Sequence, residues 1–561
     1  MSLQIAERFI TKFLAAGLFT TTIFVAAWWT TEPVNAPKML VLSMLAGSCL
    51  AVILLNFEAW WHLIDKVIVG FAGIFMVWIT TSTLVSQEPL TLNFYGATGR
   101  NTGLLTYLCL IFLFLSALII TQLDNFKVVI KSFLIAGVFN LVYCLFSLFG
   151  IELLPWNNIY NTILGTFGNP NFIGAFLGMF FVAMFARLVS PAISGKMIAL
   201  HIFLMALIFI EILKSHAIQG LAVSAIGVAF IVWLKIRSLS KSKILEFGYL
   251  FIALSLGTVA TLGALQIGPL AKFIYKPSVS FRGQYWLAGW NMGVDNPIFG
   301  LGPDSYGSWY RRMRSPQSLI TPGINTTSNA AHNVFIDIFS TGGFPLLVLY
   351  LIIVGFVVRS IIKLIRKSRE FDLTGSILIS VWLCYQAQSV ISINQIGLAI
   401  WGWVFGGLII AYQKSMEIGD KQSNFRPQFK NRKGPGNQYS EPALVVATIV
   451  GFSLGALVAI PPFLADAKWR TAMGSGDAAK IQSAAVAWPK DSIRLSEAST
   501  IFLDNKLPDQ ALLLSKLGIK EFPNSYVAWY TYAQMPNLTD AEKILIKSNL
   551  HRLDPLNPAY K

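Results

Sequence analysis

The chain alternates apolar runs with short polar turns, and this alternation recurs about thirteen times along its length. An apolar helix of about 20 residues crosses the roughly 30 Å hydrocarbon core of a bilayer, where backbone polar groups must be bonded within the chain. The runs lie near residues 9–29, 38–56, 64–85, 103–120, 127–150, 171–189, 196–213, 217–236, 246–267, 333–358, 373–392, 396–413 and 442–462. Composition agrees: of 561 residues 55% are hydrophobic and 12% charged, with mean hydropathy +0.61, too little polar surface to wrap a soluble fold. The expected fold class is therefore an all-α polytopic membrane protein with about 12–13 transmembrane helices.

The first run is closed by Trp28, Trp29 and the polar TTEP stretch, with no small-residue cleavage site, so it reads as a retained anchor and not as a secretory signal. Positive charge then orients the bundle. Lys235, Arg237, Lys241 and Lys243 form one cluster, and Arg359, Lys363, Arg366, Lys367 and Arg369 another. With the N-terminus inside, both fall on the cytoplasmic face. Residues 1–413 read as the transmembrane domain. Residues 414–441, with Lys421, Arg426, Lys430, Arg432 and Lys433 among Gly, Pro, Asn and Gln, read as a basic cytoplasmic linker. Residues 442–462 carry the chain outward as one more helix. The polar tail, 463–561, is expected to be an extracytoplasmic domain of degenerate helical-hairpin repeats of the tetratricopeptide kind, serving to dock a protein partner.

The net charge of +16 is thus explained by topology, and nucleic acid is not an expected partner. All four cysteines, Cys49, Cys109, Cys144 and Cys384, lie in apolar runs without CxxC pairing, which suits packing and not a disulfide framework or thiolate metal site.

By the same count the loops 86–102, 151–170 and 268–332 face outward. The last is the one to examine, because a loop of about 65 residues in a tightly connected bundle is rarely idle. It contains Arg282 in SFRGQYWLAGW, the stretch DNPIFGLGPDSYG, the cluster Arg311, Arg312 and Arg314, and AHNVFIDIFSTGGF, whose His332 stands at the entry to the next apolar run.

Four pieces, GATGRNTGLLTY, GTFGNPNFIGAFLG, SFRGQYWLAGW with NPIFGLGPDSYG, and AHNVFIDIFSTGGF, occur in an order and placement that resemble the O-antigen ligase and polymerase superfamily of polytopic membrane glycosyltransferases. The similarity runs from about Phe94 to Ile410. It implies a C-type glycosyltransferase-like fold, no cofactor and no required metal. It also implies an undecaprenyl diphosphate-linked glycan as donor and, as acceptor, a glycan, a lipid A core or a protein, outside the bacterial inner membrane.

The resemblance places Arg282 near the donor diphosphate, a concentrated anion that a guanidinium meets through several N–H groups at once. Arg100, on the neighbouring loop after GATG, approaches the same anion in this reading. His332 is the expected base, since an imidazole can take the proton of an acceptor hydroxyl as it attacks the anomeric carbon. Arg311 and Arg312 are expected to touch lipid headgroups or the acceptor. In GNPN, Asn169 caps a helix and Pro170 opens it, and Asn169 and Asn171 are weaker candidates for holding sugar or phosphate. One departure stands out. Many members carry Ser-Arg-Gly where this chain has Gln219 before Gly220, which leaves Lys214 or His216 as substitutes unless Glu211 neutralises Lys214. No spacing of His and carboxylate suits a divalent ion, although Asp295, Asp304 and Asp337 fall nearby.

A ligase that moves a finished glycan and a polymerase that joins lipid-linked repeat units share these residues, because both reactions are hydroxyl attacks on a C1 diphosphate. A transporter or channel would need paired ionisable groups at mid-membrane and symmetric broken helices, and the sequence shows few such groups and no internal repeat among its runs.

Overall fold

The computed structural model describes residues 3–62, 64–155, 158–191, 193–274, 277–424 and 441–560, and its regular elements are all helices. The principal ones are α1 Leu3–Ile23, α2 Asn35–Leu55, α3 Lys66–Leu84, α4 Leu104–Leu118, α5 Leu123–Leu148, α6 Pro170–Leu188, α7 Gly195–Lys214, α8 Ile218–Leu239 and α9 Lys243–Ala264. They continue with α10 Pro277–Asp295, α11 Tyr306–Met313, α12 Val334–Lys367, α13 Leu373–Ile391, α14 Ile396–Asn424 and α15 Glu441–Ser475. The tail adds α16 Ala478–Ala485, α17 Ser492–Asp504, α18 Pro508–Glu521, α19 Tyr526–Ala533 and α20 Asp540–Leu553.

All thirteen apolar runs are helical, but ten helices, not twelve or thirteen, are both long and apolar enough to cross a membrane among the described residues. The other three are α1, α4 and α13. With 15 residues α4 is short, reaching about 22 Å at 1.5 Å per residue, yet it is buried against α14 and α2. Two boundaries also shift. The expected linker begins later, because α14 continues to Asn424; its Arg426, Lys430, Arg432 and Lys433 lie outside the described residues. The last apolar run does not stop near 462, because α15 continues through Pro461 and Pro462 to Ser475 and delivers the chain straight into the tail helices.

In lipid, helices associate through close backbone approach and not through burial of apolar area alone. The α2–α15 crossing shows this: Gly47 faces Gly451, and a Cβ on either would run into the other's carbonyl oxygen. All four cysteines are buried and unpaired within the bundle, as packing residues should be.

The two ends of the bundle differ. At one end Glu7 accepts hydrogen bonds from Thr121 and Asn125, and Glu246 gathers Lys243, Arg237 and Arg369 from the two basic clusters. At the other end the turn after α1, the GATG loop, the 296–333 segment and the tail meet one another. The long expected loop is therefore largely structured, with α10 and α11 inside it.

A break in α12 anchors this end. Gly343 takes φ 68°, a left-handed value natural for glycine, and the carbonyls freed by the break need partners. The 297–302 segment supplies them: the N–H of Leu301 donates to Ser340 O at 2.8 Å and that of Gly302 to Thr341 O at 2.9 Å, while Phe344 N–H donates to Pro297 O at 2.8 Å. The following residue pair, Pro303 and Asp304, is thereby set beside the GATG loop.

Candidate active site

The site is built around the start of α12. Asn333 caps this helix, its side-chain oxygen accepting from the N–H groups of Phe335 at 3.0 Å and Ile336 at 3.2 Å. Asp337, one turn in, reaches back to the Ala331 N–H at 2.8 Å. Held between these two contacts, His332 adopts φ 54°, a left-handed conformation that a non-glycine residue keeps only when its surroundings impose it. The local sequence AHNVFID thus supplies its own clamp.

The imidazole of His332 lies against the ring of Tyr285 on α10, with centroids 5.6 Å apart. The backbone oxygen of His332 accepts a longer contact from Trp286 Nε1 at 3.4 Å. Burial and the nearby guanidinium groups of Arg282 and Arg100 disfavour the imidazolium, so the His332 pKa falls from 6.5 to about 3. At neutral pH the ring is uncharged and able to accept a proton.

The two arginines differ in what they have left to offer. Arg282 stands one turn before Tyr285 on α10, is partly buried, and makes no hydrogen bond or ion pair among the described residues. Burial pushes its pKa downward, the direction expected of a cation without a counter-charge. Arg100 is buried and ion-paired, its Nε 3.2 Å from Asp304 Oδ1. Asp304 is a hub as well: it accepts from Ala97 N–H and Thr102 N–H, each at 3.0 Å, and from the Thr102 hydroxyl at 2.7 Å. Asp304 fixes the GATG loop and matches the Arg100 charge. Arg282 is thus left without a hydrogen bond or ion pair among the described residues, whereas Arg100 is committed.

His332, Tyr285, Asp304 and Asn101 line a cavity of about 550 Å³ whose opposite wall belongs to the tail, at residues 489–494 and 522–527. The tail is fastened there by the arginine cluster. Arg311 and Arg314 both bind the carboxylate of Asp554, at 2.8 and 2.7 Å, with Asp554 fully buried. Arg312 donates to Asn524 Oδ1 at 2.8 Å, and Arg311 also lies over the Tyr526 ring at 4.1 Å. These contacts commit Arg311 and Arg312 to the protein's own tail, and Arg311 also lines the cavity. Thr98 adds a hydrogen bond to Asp491 at 2.7 Å.

The weaker candidates lie elsewhere. Asn169 caps α6, accepting from the Asn171 N–H at 2.9 Å, with Pro170 at the first helical position, as the GNPN pattern predicts. Gln219 is buried and donates to Gln388 at 2.8 Å across to α13. Lys214 is exposed whereas Glu211 is buried, so the two form no ion pair. His216 is exposed in a left-handed turn at φ 56°. None of Asn169, Asn171, Lys214, His216 and Gln219 lines the His332 cavity, and neither do Arg100, Arg282 and Arg312. Among the described residues no group of three His, Cys, Asp or Glu side chains comes together to hold a metal ion.

Sequence reasoning missed Tyr285, Asn101 and Asp554. Tyr285 carries a signal in retrospect, one helical turn after Arg282. Asp554 carries none, since only the fold brings it to residues some 240 positions earlier.

A bundle of apolar helices, ten of them long and apolar enough to cross a membrane among the described residues, with a polar cavity at one end, defines a multi-pass membrane protein. Within that class the chain is similar to the O-antigen ligase family, whose model Wzy_C matches residues 200–351. The match takes in Arg282, the NPIFGLGPDSYG stretch and His332; the GATG and GNPN pieces fall before it. No curated protein matches the chain.

Proposed function

We propose that this protein is a membrane glycosyltransferase of the O-antigen ligase type. It moves an oligo- or polysaccharide from an undecaprenyl diphosphate carrier to an acceptor hydroxyl at the outer face of the bacterial inner membrane. The observation that carries the reading is the placement of Arg282 one helical turn before Tyr285 on α10, whose ring lies against the His332 imidazole at 5.6 Å. The match to the O-antigen ligase family over these residues supports it.

In this mechanism Arg282 binds the donor diphosphate, while Arg100, its charge matched by Asp304, holds the GATG loop beside the site. The acceptor hydroxyl attacks C1 of the glycan's reducing-end sugar while its proton passes to the His332 imidazole. The C1–O bond to the diphosphate breaks, and the electron pair leaves with the diphosphate, stabilised by the guanidinium. No step uses a metal ion. The diphosphate also tunes the base: placed beside Arg282, its negative charge offsets the cations that depress His332 and raises the imidazole's proton affinity when the donor is bound. The tail, read as a helical-repeat domain, closes the acceptor side of the chamber.

The test presents the purified protein in nanodiscs with a defined undecaprenyl diphosphate-linked oligosaccharide and a panel of neutral-glycan, lipid A core and peptide acceptors. The expected product is the acceptor with the whole glycan attached, identified by mass spectrometry and formed far more slowly with His332→Ala. Donor that remains intact with every acceptor would overturn the reading.

A further inference from the structure

Asn101 follows Arg100 in the GATGRNTG loop and adopts φ 53°. Its backbone is fully used: the N–H donates to Ala97 O at 3.0 Å, and the carbonyl accepts from the Thr106 hydroxyl at 2.6 Å. Its side chain is not used. The residue is 3% exposed, its Oδ1 is sealed from solvent without a hydrogen-bond partner, and no side-chain bond is formed among the described residues. A buried amide left unbonded is costly, and native structures keep few. Asn101 nevertheless lines the same cavity as His332, and its Nδ2, which is not among the sealed atoms, is the donor through which a ligand in that cavity can bond the amide.

The surroundings select the chemistry of that ligand. Glu32, Glu88, Asp304, Asp466 and Asp491 share the cavity and Arg282 does not line it, so the carboxylates disfavour a phosphate inside the cavity and leave the diphosphate beside Arg282. The cations lining it are engaged by the protein: Arg311 with Asp554, Lys490 with Glu521 at 2.6 Å, and Arg494 with the carbonyls of Ala485, Ala487 and Pro489. An amide beside carboxylates matches a sugar hydroxyl, which both donates and accepts. We propose that Asn101 is a glycan-binding residue, its amide holding a hydroxyl of a neutral sugar in the His332 cavity. This inference rests on the glycosyltransferase reading above.

Asparagine also suits a left-handed backbone position for purely conformational reasons, and the variants are chosen to separate the two roles. Asn101→Gly keeps the backbone freedom and removes the amide. Asn101→Asp keeps the shape and replaces the donor by a carboxylate. Thermal melting of both in nanodiscs checks that the fold is retained. Each variant is then tested for binding of undecaprenyl diphosphate-linked oligosaccharide, for binding of bare undecaprenyl diphosphate, and for the acceptor KM. The expected result is an about 3- to 10-fold weakening, the scale of one hydrogen bond. It falls on the glycan-bearing donor if the hydroxyl belongs to the donor sugar and on the acceptor KM if it belongs to the acceptor, with bare carrier bound as before. Wild-type values for donor and acceptor in Asn101→Gly would overturn the proposal, and so would an equal loss for bare carrier. Failure of the unsubstituted protein to transfer glycan at all would instead defeat the glycosyltransferase reading, which keeps the two failures distinct.

Discussion

The ring of Tyr285 covers the imidazole of His332 at 5.6 Å between centroids and 31° between planes, so the residue proposed as base is oriented by an aromatic neighbour one helical turn from Arg282. The same helix, α10, thereby carries both Arg282, the proposed diphosphate contact, and the ring that supports the proposed base. Removing the ring should free the imidazole to rotate, whereas removing only the hydroxyl should not. Tyr285→Phe is expected to transfer glycan at close to the wild-type rate, and Tyr285→Ala about 10-fold more slowly with donor affinity unchanged. Single-turnover transfer at saturating donor checks this. A rate loss in Tyr285→Phe equal to that in Tyr285→Ala would assign the effect to the hydroxyl and not to ring packing.

His332 and Arg282 should fail in different ways. The imidazole meets a proton that moves only during transfer, so His332→Ala is expected to slow the chemical step by about 10²- to 10⁴-fold while donor binding persists. The guanidinium meets a charge present before reaction, so Arg282→Gln should weaken donor binding itself. Arg282→Lys should recover little of it, since an ammonium lacks the planar set of donors. Donor affinity measured alongside single-turnover rates separates the two, and intact donor binding by Arg282→Gln would remove Arg282 from the diphosphate.

The depressed pKa of His332 sets a pH signature. An imidazole at its ordinary value of 6.5 loses its basic form as pH falls through that value, but with the pKa at about 3 the neutral form persists well below it. The kcat/KM profile, which reports the free enzyme, is therefore expected to stay within about 3-fold from about pH 8 to about pH 5. An acid limb centred on 6.5 would show that the imidazole titrates as if exposed and that Arg282 and Arg100 do not act on it.

Much of this was legible in the chain, and the parts that were not have physical reasons. Apolar runs report bilayer-crossing helices because the solvent imposes a length, and GNPN reports a cap because Asn169 and Pro170 act within one turn. Helix ends were less legible. The last apolar run reads as ending near 462, yet α15 passes through Pro461 and Pro462 to Ser475. The site was half visible. Arg282 and His332 became candidates through the resemblance to the O-antigen ligase and polymerase superfamily, whereas the commitment of Arg100 to Asp304 depends on the α12 break at Gly343, which seats the 297–302 segment. The tail's position was not legible at all, because Arg311 and Arg314 find Asp554 only in three dimensions.

That last contact carries the strongest structural prediction. Asp554 is the carboxylate shared by two buried guanidinium groups, at 2.8 Å from Arg311 and 2.7 Å from Arg314. Removing one member of such a buried cluster leaves charges uncompensated, at a cost of about 3–5 kcal/mol. Asp554→Asn removes the charge without changing the shape, so the loss should fall on the seam between the tail and the 306–314 segment and not on the helices of the bundle. Limited proteolysis is expected to release the tail from Asp554→Asn faster than from wild type, while the membrane helices stay protected. Because residues 489–494 and 522–527 form a wall of the His332 cavity, glycan transfer should fall in the same variant, through a higher acceptor KM and with little change in donor affinity. A loosened tail with an unaltered acceptor KM would show that the domain sits beside the chamber without shaping it.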